Sequence, residues 1–330
     1  MHTNLYIKLS SQERKLYDAI YQGLINLLPE ISIPKMNSEK INEICNLVLC
    51  EHPELAVVNN AEYDVYRSAF EVMLIPSYLF GQDELVQRRF QYLQECENIV
   101  NNIVTRDMDE FQRELSIYNY VCRNVRYGLL GTDDTSVLLS QSQFSALFDK
   151  KAVCKGIAML FKCLCDLAEL ECYLVEGTVC RQGLVDSHAW NIVKIQNKFY
   201  FVDTVCDTIS YEQSGTMTYA FFNFAEDVAR KNYTWKRNNY PVCDSLDSNY
   251  FVKLHAYVHN DRELGDLMKR CKDRKYIYVK FSDDYYLGNK NDEEIGDILL
   301  DYICKEKPGV HICAEYKWNE ESKSMAMVVR

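Results

Sequence analysis

Cys154 stands at the head of a helix-forming run, 155–170, in which Ile157, Leu160, Phe161, Leu164 and Leu167 recur at helical spacing. A thiol placed there meets unpaired backbone N–H groups and the positive end of the helix dipole. Both favour the thiolate, the form that attacks carbonyl carbon. Gly156 lets the backbone approach closely at the same point. Such a nucleophile needs a base, and the base needs an orienting group. His188 opens one alternating run, 188–195, and Asp203 closes another, 198–203. Between them Gln196-Asn197 reads as a two-residue hairpin turn, with Asn197 suited to positive φ. That register sets Trp190 opposite Asp203 and Val205 opposite His188. His188 and Asp203 then share a face as diagonal neighbours, roughly 7 Å apart at the backbone. A slip of one residue would send them to opposite faces.

The other thirteen cysteines need a different reading, since the chain has fourteen. An even count permits disulfides. However, Met1-His2-Thr3-Asn4-Leu5-Tyr6-Ile7-Lys8 has no signal-peptide core, and no apolar run approaches the ~18 residues of a membrane helix. A cytoplasmic chain with reduced, packing thiols is expected. Cys163 and Cys165, with Cys172 and Cys180, raise a zinc reading. Two thiols two apart on a helix diverge, which opposes it. His255 and His259, four apart, could share a helix face as metal ligands, but no acidic motif of a zinc hydrolase accompanies them, and surface or core packing is expected. No metal or cofactor is expected.

The chain that must position these groups has 330 residues, 48% hydrophobic and 26% charged, as in a globular protein. Its net charge of −11 argues against nucleic-acid binding, which draws on a basic face. With only 12 Gly and 6 Pro, turn-rich β architecture is disfavoured and a helix-rich α+β fold is expected. The pattern predicts helices over 11–29, 38–51 with Ser38 as N-cap, 82–104 and 107–126. It predicts strands over 55–58 and 69–76, a short helix or turn about 144–147, and a strand over 172–179. After Asp203 it predicts a helix near 218–232 and an aromatic stretch at 250–257. Helix 261–272, strand 275–282, helix 291–305 and strands 309–317 and 325–329 follow, as a small α/β unit. The expected division is 1–106, an N-terminal α+β unit; 107–215, the core; and 216–330, a C-terminal extension.

Taken together, Ala152-Val153-Cys154-Lys155-Gly156-Ile157-Ala158, Glu171-Cys172-Tyr173-Leu174-Val175-Glu176-Gly177, His188-Ala189-Trp190-Asn191 and Phe199-Tyr200-Phe201-Val202-Asp203 resemble the transglutaminase-like core of the papain-like cysteine enzymes. The bacterial transglutaminase/protease-like proteins look nearest, and Tyr118–Tyr127 is similar to their helix before the nucleophile. The resemblance spans roughly 107–210. It implies a Cys154, His188, Asp203 triad, with the Cys154 helix packed on an antiparallel sheet. It also brings departures. Ile157 replaces a frequent Tyr, and Cys206-Asp207 replaces a frequent Trp-Asp pair. Nothing resembles the calcium-binding segments of animal transglutaminases. Cys154 N–H is a natural oxyanion donor, Gln141 a second candidate, and Trp190 a candidate for the acyl-substrate wall.

The expected activity is cysteine-dependent amide chemistry through a thioester: peptide or isopeptide hydrolysis, with transamidation or deamidation as other outcomes. The expected partner is a protein or peptide substrate, with no nucleic acid and no membrane, and the oligomeric state stays open. The alternative is a transglutaminase-like binding or scaffold module without activity.

Overall fold

The computed structural model describes residues 4–55, 62–78, 80–181, 183–282, 284–285, 292–306, 314–319 and 322–329. Helices Ser11–Ile25 and Ser38–Glu51 pack over a three-stranded sheet whose middle strand is Val72–Pro76, flanked by Ile31–Ile33 and Tyr63–Arg67. Leu16, Ile20, Ile41, Val48, Val72 and Leu74 fill a core of their own there. The first of these helices starts in a capping box, with Ser10 Oγ accepting from Glu13 N–H and Glu13 accepting from Ser10 N–H. It ends at Ile25, short of Pro29, because Leu27 turns left-handed at φ 54°. The second is capped by Asn37, whose side chain accepts from Lys40 N–H, and not by Ser38. Leu55 lies in the turn Pro53–Leu55, while the rest of the expected strand 55–58 lies outside the described residues. Strand 69–76 begins only at Val72, after a turn closed by Ser68 and Glu71.

Helices Gln82–Ile103, Glu110–Asn124 and Cys154–Leu167 form the centre. The Cys154 helix lies against a four-stranded antiparallel sheet ordered Lys198–Val202, Leu184–Ile195, Cys172–Arg181, Tyr233–Trp235. It ends before Leu170 because Glu169 is left-handed at φ 61° and Leu170 N–H turns back to Cys165 C=O at 2.9 Å. The expected hairpin is present. Ile195 pairs with Lys198, Asn191 pairs with Val202, and the turn residues Gln196 and Asn197 have φ of 51° and 65°. Its far end differs from expectation. Pairing stops at Val202, and residues 204–214 form a helix with Asp203 as N-cap, so Val205 does not face His188. The strand through His188 also starts earlier, at Leu184.

The helix expected near 218–232 is confined to Glu226–Asn232. Tyr219 and Asn223 are left-handed, and Phe224 makes a bridge to Phe201 at the sheet edge, so this apolar stretch closes the core as an irregular segment. The tail forms a second four-stranded sheet, Tyr257–Val258, Tyr276–Phe281, Ser324–Val329 and Ala314–Asn319, with helices Asp261–Cys271 and Asp292–Glu306. Residues 309–313 of the expected strand 309–317 lie outside the described residues. The protein is α+β. No helix among the described residues is long and apolar enough to cross a membrane.

Candidate active site

Cys154 is the first residue of its helix, with Val153 as N-cap, so it belongs to the helix that it was expected to precede. The first N–H groups of a helix have no partner within it, and Cys154 N–H is one of them. The half-buried thiol rests on Ala158, Met159, Leu174 and Ala189. Lys155 ties the helix start to the sheet through an ion pair with Glu176, at 2.9 Å. Gly156 explains how the preceding loop closes on this point. A Cβ there would lie 2.7 Å from Ser142 C=O and 2.9 Å from Ala152 Cβ.

His188 is held against Cys154 by the sheet. Asn191, three residues along the same strand, donates its side-chain N–H groups to Ala158 C=O at 3.1 Å and Tyr173 C=O at 3.2 Å, clamping the His188 strand to the Cys154 helix. Cys154 lies near enough to His188 to add to the rise in its proton affinity. His188 Nε2 lies 2.8 Å from Asp203 Oδ2, which makes the diagonal pair a direct contact. Asp203 is wholly buried. Its Oδ1 accepts from Val205 N–H at 3.0 Å, and its Oδ2 also accepts from Tyr233 O–H at 2.8 Å and Arg181 Nη2 at 3.5 Å.

Burial works against charge on both partners, and the opposite charge wins on both. Burial lowers the imidazole's proton affinity, but the charge and hydrogen bond of Asp203, with Cys154 beside them, raise His188 to about 9. Burial raises the carboxyl, but the charge and hydrogen bond of His188, with Arg181 and Tyr233, bring Asp203 to about 2. An imidazolium next to a carboxylate is the form these neighbours favour at neutral pH.

Trp190 is not on an open wall. It is fully buried and stacks on His188, with ring centroids 5.9 Å apart, because strand alternation turns it toward Tyr233 and Trp235. It backs the imidazole from inside. Gln141 caps the end of helix Asp134–Ser140 and is half-buried. It is held near the Cys154 helix because Val153 N–H donates to Ser140 C=O at 2.8 Å. Cys163 and Cys165 diverge as expected, the first toward Cys96 and Tyr92 and the second toward Cys172. A cavity of about 660 Å³ lies between the N-terminal helices and the sheet, lined in part by Leu47, Cys50, Glu176, Trp235 and Tyr240; Cys154, His188 and Asp203 are not in its wall.

Sequence reasoning missed Arg181, Tyr233 and the clamp made by Asn191. The alternating aromatics of Tyr233-Thr234-Trp235 were a usable strand signal, but the helical pattern just before them masked it.

Residues 97–204 match the family model of the Transglutaminase-like superfamily. Kyphoscoliosis peptidase of Homo sapiens is 21% identical over 211 residues, which are 58% of this chain and 32% of that protein. The chain therefore spans about a third of the length of that curated relative. Among solved structures, a TGase is 14% identical with a TM-score of 0.32, over 53% of this chain and 50% of that one. A proposed cysteine protease from Cytophaga hutchinsonii is 13% identical with a TM-score of 0.30, over 44% of this chain and 61% of that one. The family match holds Cys154, His188 and Asp203 within one span, so the region 97–204 that carries them is transglutaminase-like.

Proposed function

We propose that the protein is a cysteine-dependent enzyme acting on amide bonds, with Cys154 as nucleophile, His188 as proton carrier and Asp203 as its orienting anion. The observation that supports this reading is the His188 Nε2–Asp203 Oδ2 contact at 2.8 Å beside Cys154, the first residue of its helix. Nε2 is engaged by Asp203, which leaves Nδ1 for the thiol. The proton rests on His188 as the imidazolium, and the Cys154 thiolate attacks the amide carbonyl carbon. The tetrahedral oxyanion is met by Cys154 N–H, with Gln141 as a second donor. The imidazolium then protonates the departing amine, the C–N bond breaks, and a thioester remains. Water, deprotonated by His188, releases the acid and restores the thiolate beside the imidazolium. The human relative is named a peptidase, and hydrolysis of a peptide or isopeptide bond is the outcome we favour.

The test is competitive alkylation of the folded protein with limiting iodoacetamide at neutral pH, read cysteine by cysteine by peptide mass spectrometry. Cys154 should react at least about tenfold faster than the buried thiols, and His188→Ala should remove that lead. Labelling of Cys154 no faster than that of Cys163 or Cys165 would sink the reading.

A further inference from the structure

Asp203 Oδ2 takes two hydrogen bonds of equal length from different elements, His188 Nε2 and Tyr233 O–H, both at 2.8 Å. Its other oxygen is already fixed by Val205 N–H at the start of the following helix. The carboxylate's orientation therefore does not need Tyr233. What the phenol changes is the charge that Oδ2 can offer, since two donors on one oxygen share its negative charge. We propose that Tyr233 is a positioning residue of this site, tempering the hold of Asp203 on His188 so that the imidazolium can release its proton to the leaving amine. This rests on the function proposed above.

The surroundings fit that role. Tyr233 is buried, its ring edge-on to Trp190 at 5.1 Å and 6.0 Å from His188. Burial, with the negative charge of Asp203 beside it, holds the phenol well above its ordinary range, so it remains a donor wherever the enzyme would work. The strand that carries it reaches Asp203 only because Gly177 faces it, since a Cβ there would collide with Thr234 C=O. Tyr233 also lies beyond the family match at 97–204, so a segment outside that span completes the surroundings of Asp203.

The other groups facing the pair come from every neighbouring element. Arg181 reaches Oδ2 at 3.5 Å and Cys206 Sγ at 2.9 Å. Cys206 Sγ stands 3.9 Å from Oδ2. Tyr118 O–H donates to Asp203 C=O at 3.4 Å and to the buried Asp207 at 3.1 Å. Cys154 also acts on His188, and on Tyr127 as well. Only His188 and Tyr233 approach Oδ2 within 3 Å among the contacts of the described residues.

The experiment is a pH titration of the ¹⁵N-labelled His188 ring by NMR in the full chain, with the resonance assigned by its loss in His188→Gln. Tyr233→Phe should raise the midpoint of His188 by about half a unit to one unit, a three- to tenfold shift in its protonation equilibrium. Site-specific 3-fluorotyrosine at 233, a stronger donor that keeps the ring, should lower it, and decides alone if Tyr233→Phe does not fold. A His188 midpoint that stays put, or that moves the other way in either protein, overturns the proposal. The readout needs neither substrate nor a reactive Cys154, so its failure is separable from failure of the alkylation test.

Discussion

Asp203 uses its two oxygens for two jobs: Oδ1 caps the helix that follows, and Oδ2 receives His188. The jobs can be separated by substitution. Asp203→Asn keeps an oxygen for the cap and loses the charge that holds the imidazolium. At neutral pH it should lose the stability of the ion pair and keep the cap, while turnover falls by several powers of ten, about 10⁴ in the comparable change at a serine-protease triad. Asp203→Ala should lose the activity and also about 1 kcal/mol of cap. Equal unfolding midpoints for the two variants would contradict the division of labour. The same pair sets a pH dependence. His188 is raised from 6.5 to about 9, so its pairing stabilises the fold fully below 6.5 and that contribution is lost as pH rises through about 9. Asp203 is lowered from 3.8 to about 2, so its contribution is present above 3.8 and lost as pH falls through about 2. Thermal unfolding followed from pH 6 to 10 should show a decline that is shallower in His188→Gln.

At the scale of elements, what was legible was local. The hairpin at Gln196-Asn197 followed from turn chemistry and alternation, and with it the shared face of His188 and Asp203. The head of the Cys154 helix followed from apolar periodicity. What was not legible depended on distant partners. Asp203 leaves the strand because it caps a helix, and the 219–224 stretch is irregular because its aromatics are divided between two cores, Phe222 in one and Phe221 and Phe224 in the other. Asn223 in that stretch donates to Glu114 Oε2 at 2.7 Å and to Ser248 C=O at 3.0 Å, tying helix Glu110–Asn124 to the chain beyond it. Burial drives Glu114 up to about 8, and Glu110 nearby adds to the rise. The folded protein thus keeps a proton that the unfolded chain releases near 4.5, so stability falls as pH rises from about 4.5 to 8. Glu114→Gln, neutral at every pH, should be more stable than the native protein at pH 8 by about 1–3 kcal/mol, with a smaller gain at pH 5. Urea midpoints at the two pH values read this directly, and an equal loss at both would show that the carboxyl is needed for its shape alone.

On the scale of the whole molecule, the C-terminal sheet is joined to the candidate active site by packing. One apolar cluster contains Tyr118 and Leu160 of the central helices and also Phe251, Leu299 and Met325 of the tail. A polar and aromatic chain runs alongside it. Asp207, one turn after Asp203, accepts from Tyr219 N–H at 2.7 Å; the Tyr219 ring stacks on Tyr250 at 3.8 Å and meets Tyr278 of the tail sheet edge-on at 5.2 Å. Two regions that share a continuous core lose it together, so the tail and the His188 sheet should unfold in one transition. The three tryptophans allow a direct test, because Trp190 and Trp235 lie in the His188 sheet and Trp318 in the tail. In a Trp318→Phe background, fluorescence reports the His188 sheet alone. Leu299→Ala removes a fully buried side chain from the tail helix Asp292–Glu306, at a cost of about 2–5 kcal/mol. If the core is shared, that loss appears in the Trp190 and Trp235 signal as a lower urea midpoint with an unchanged slope. An unmoved midpoint, with a separate early transition in far-UV circular dichroism, would mean that the tail folds on its own and that Asp207, Tyr219 and Tyr278 transmit no stability to the site.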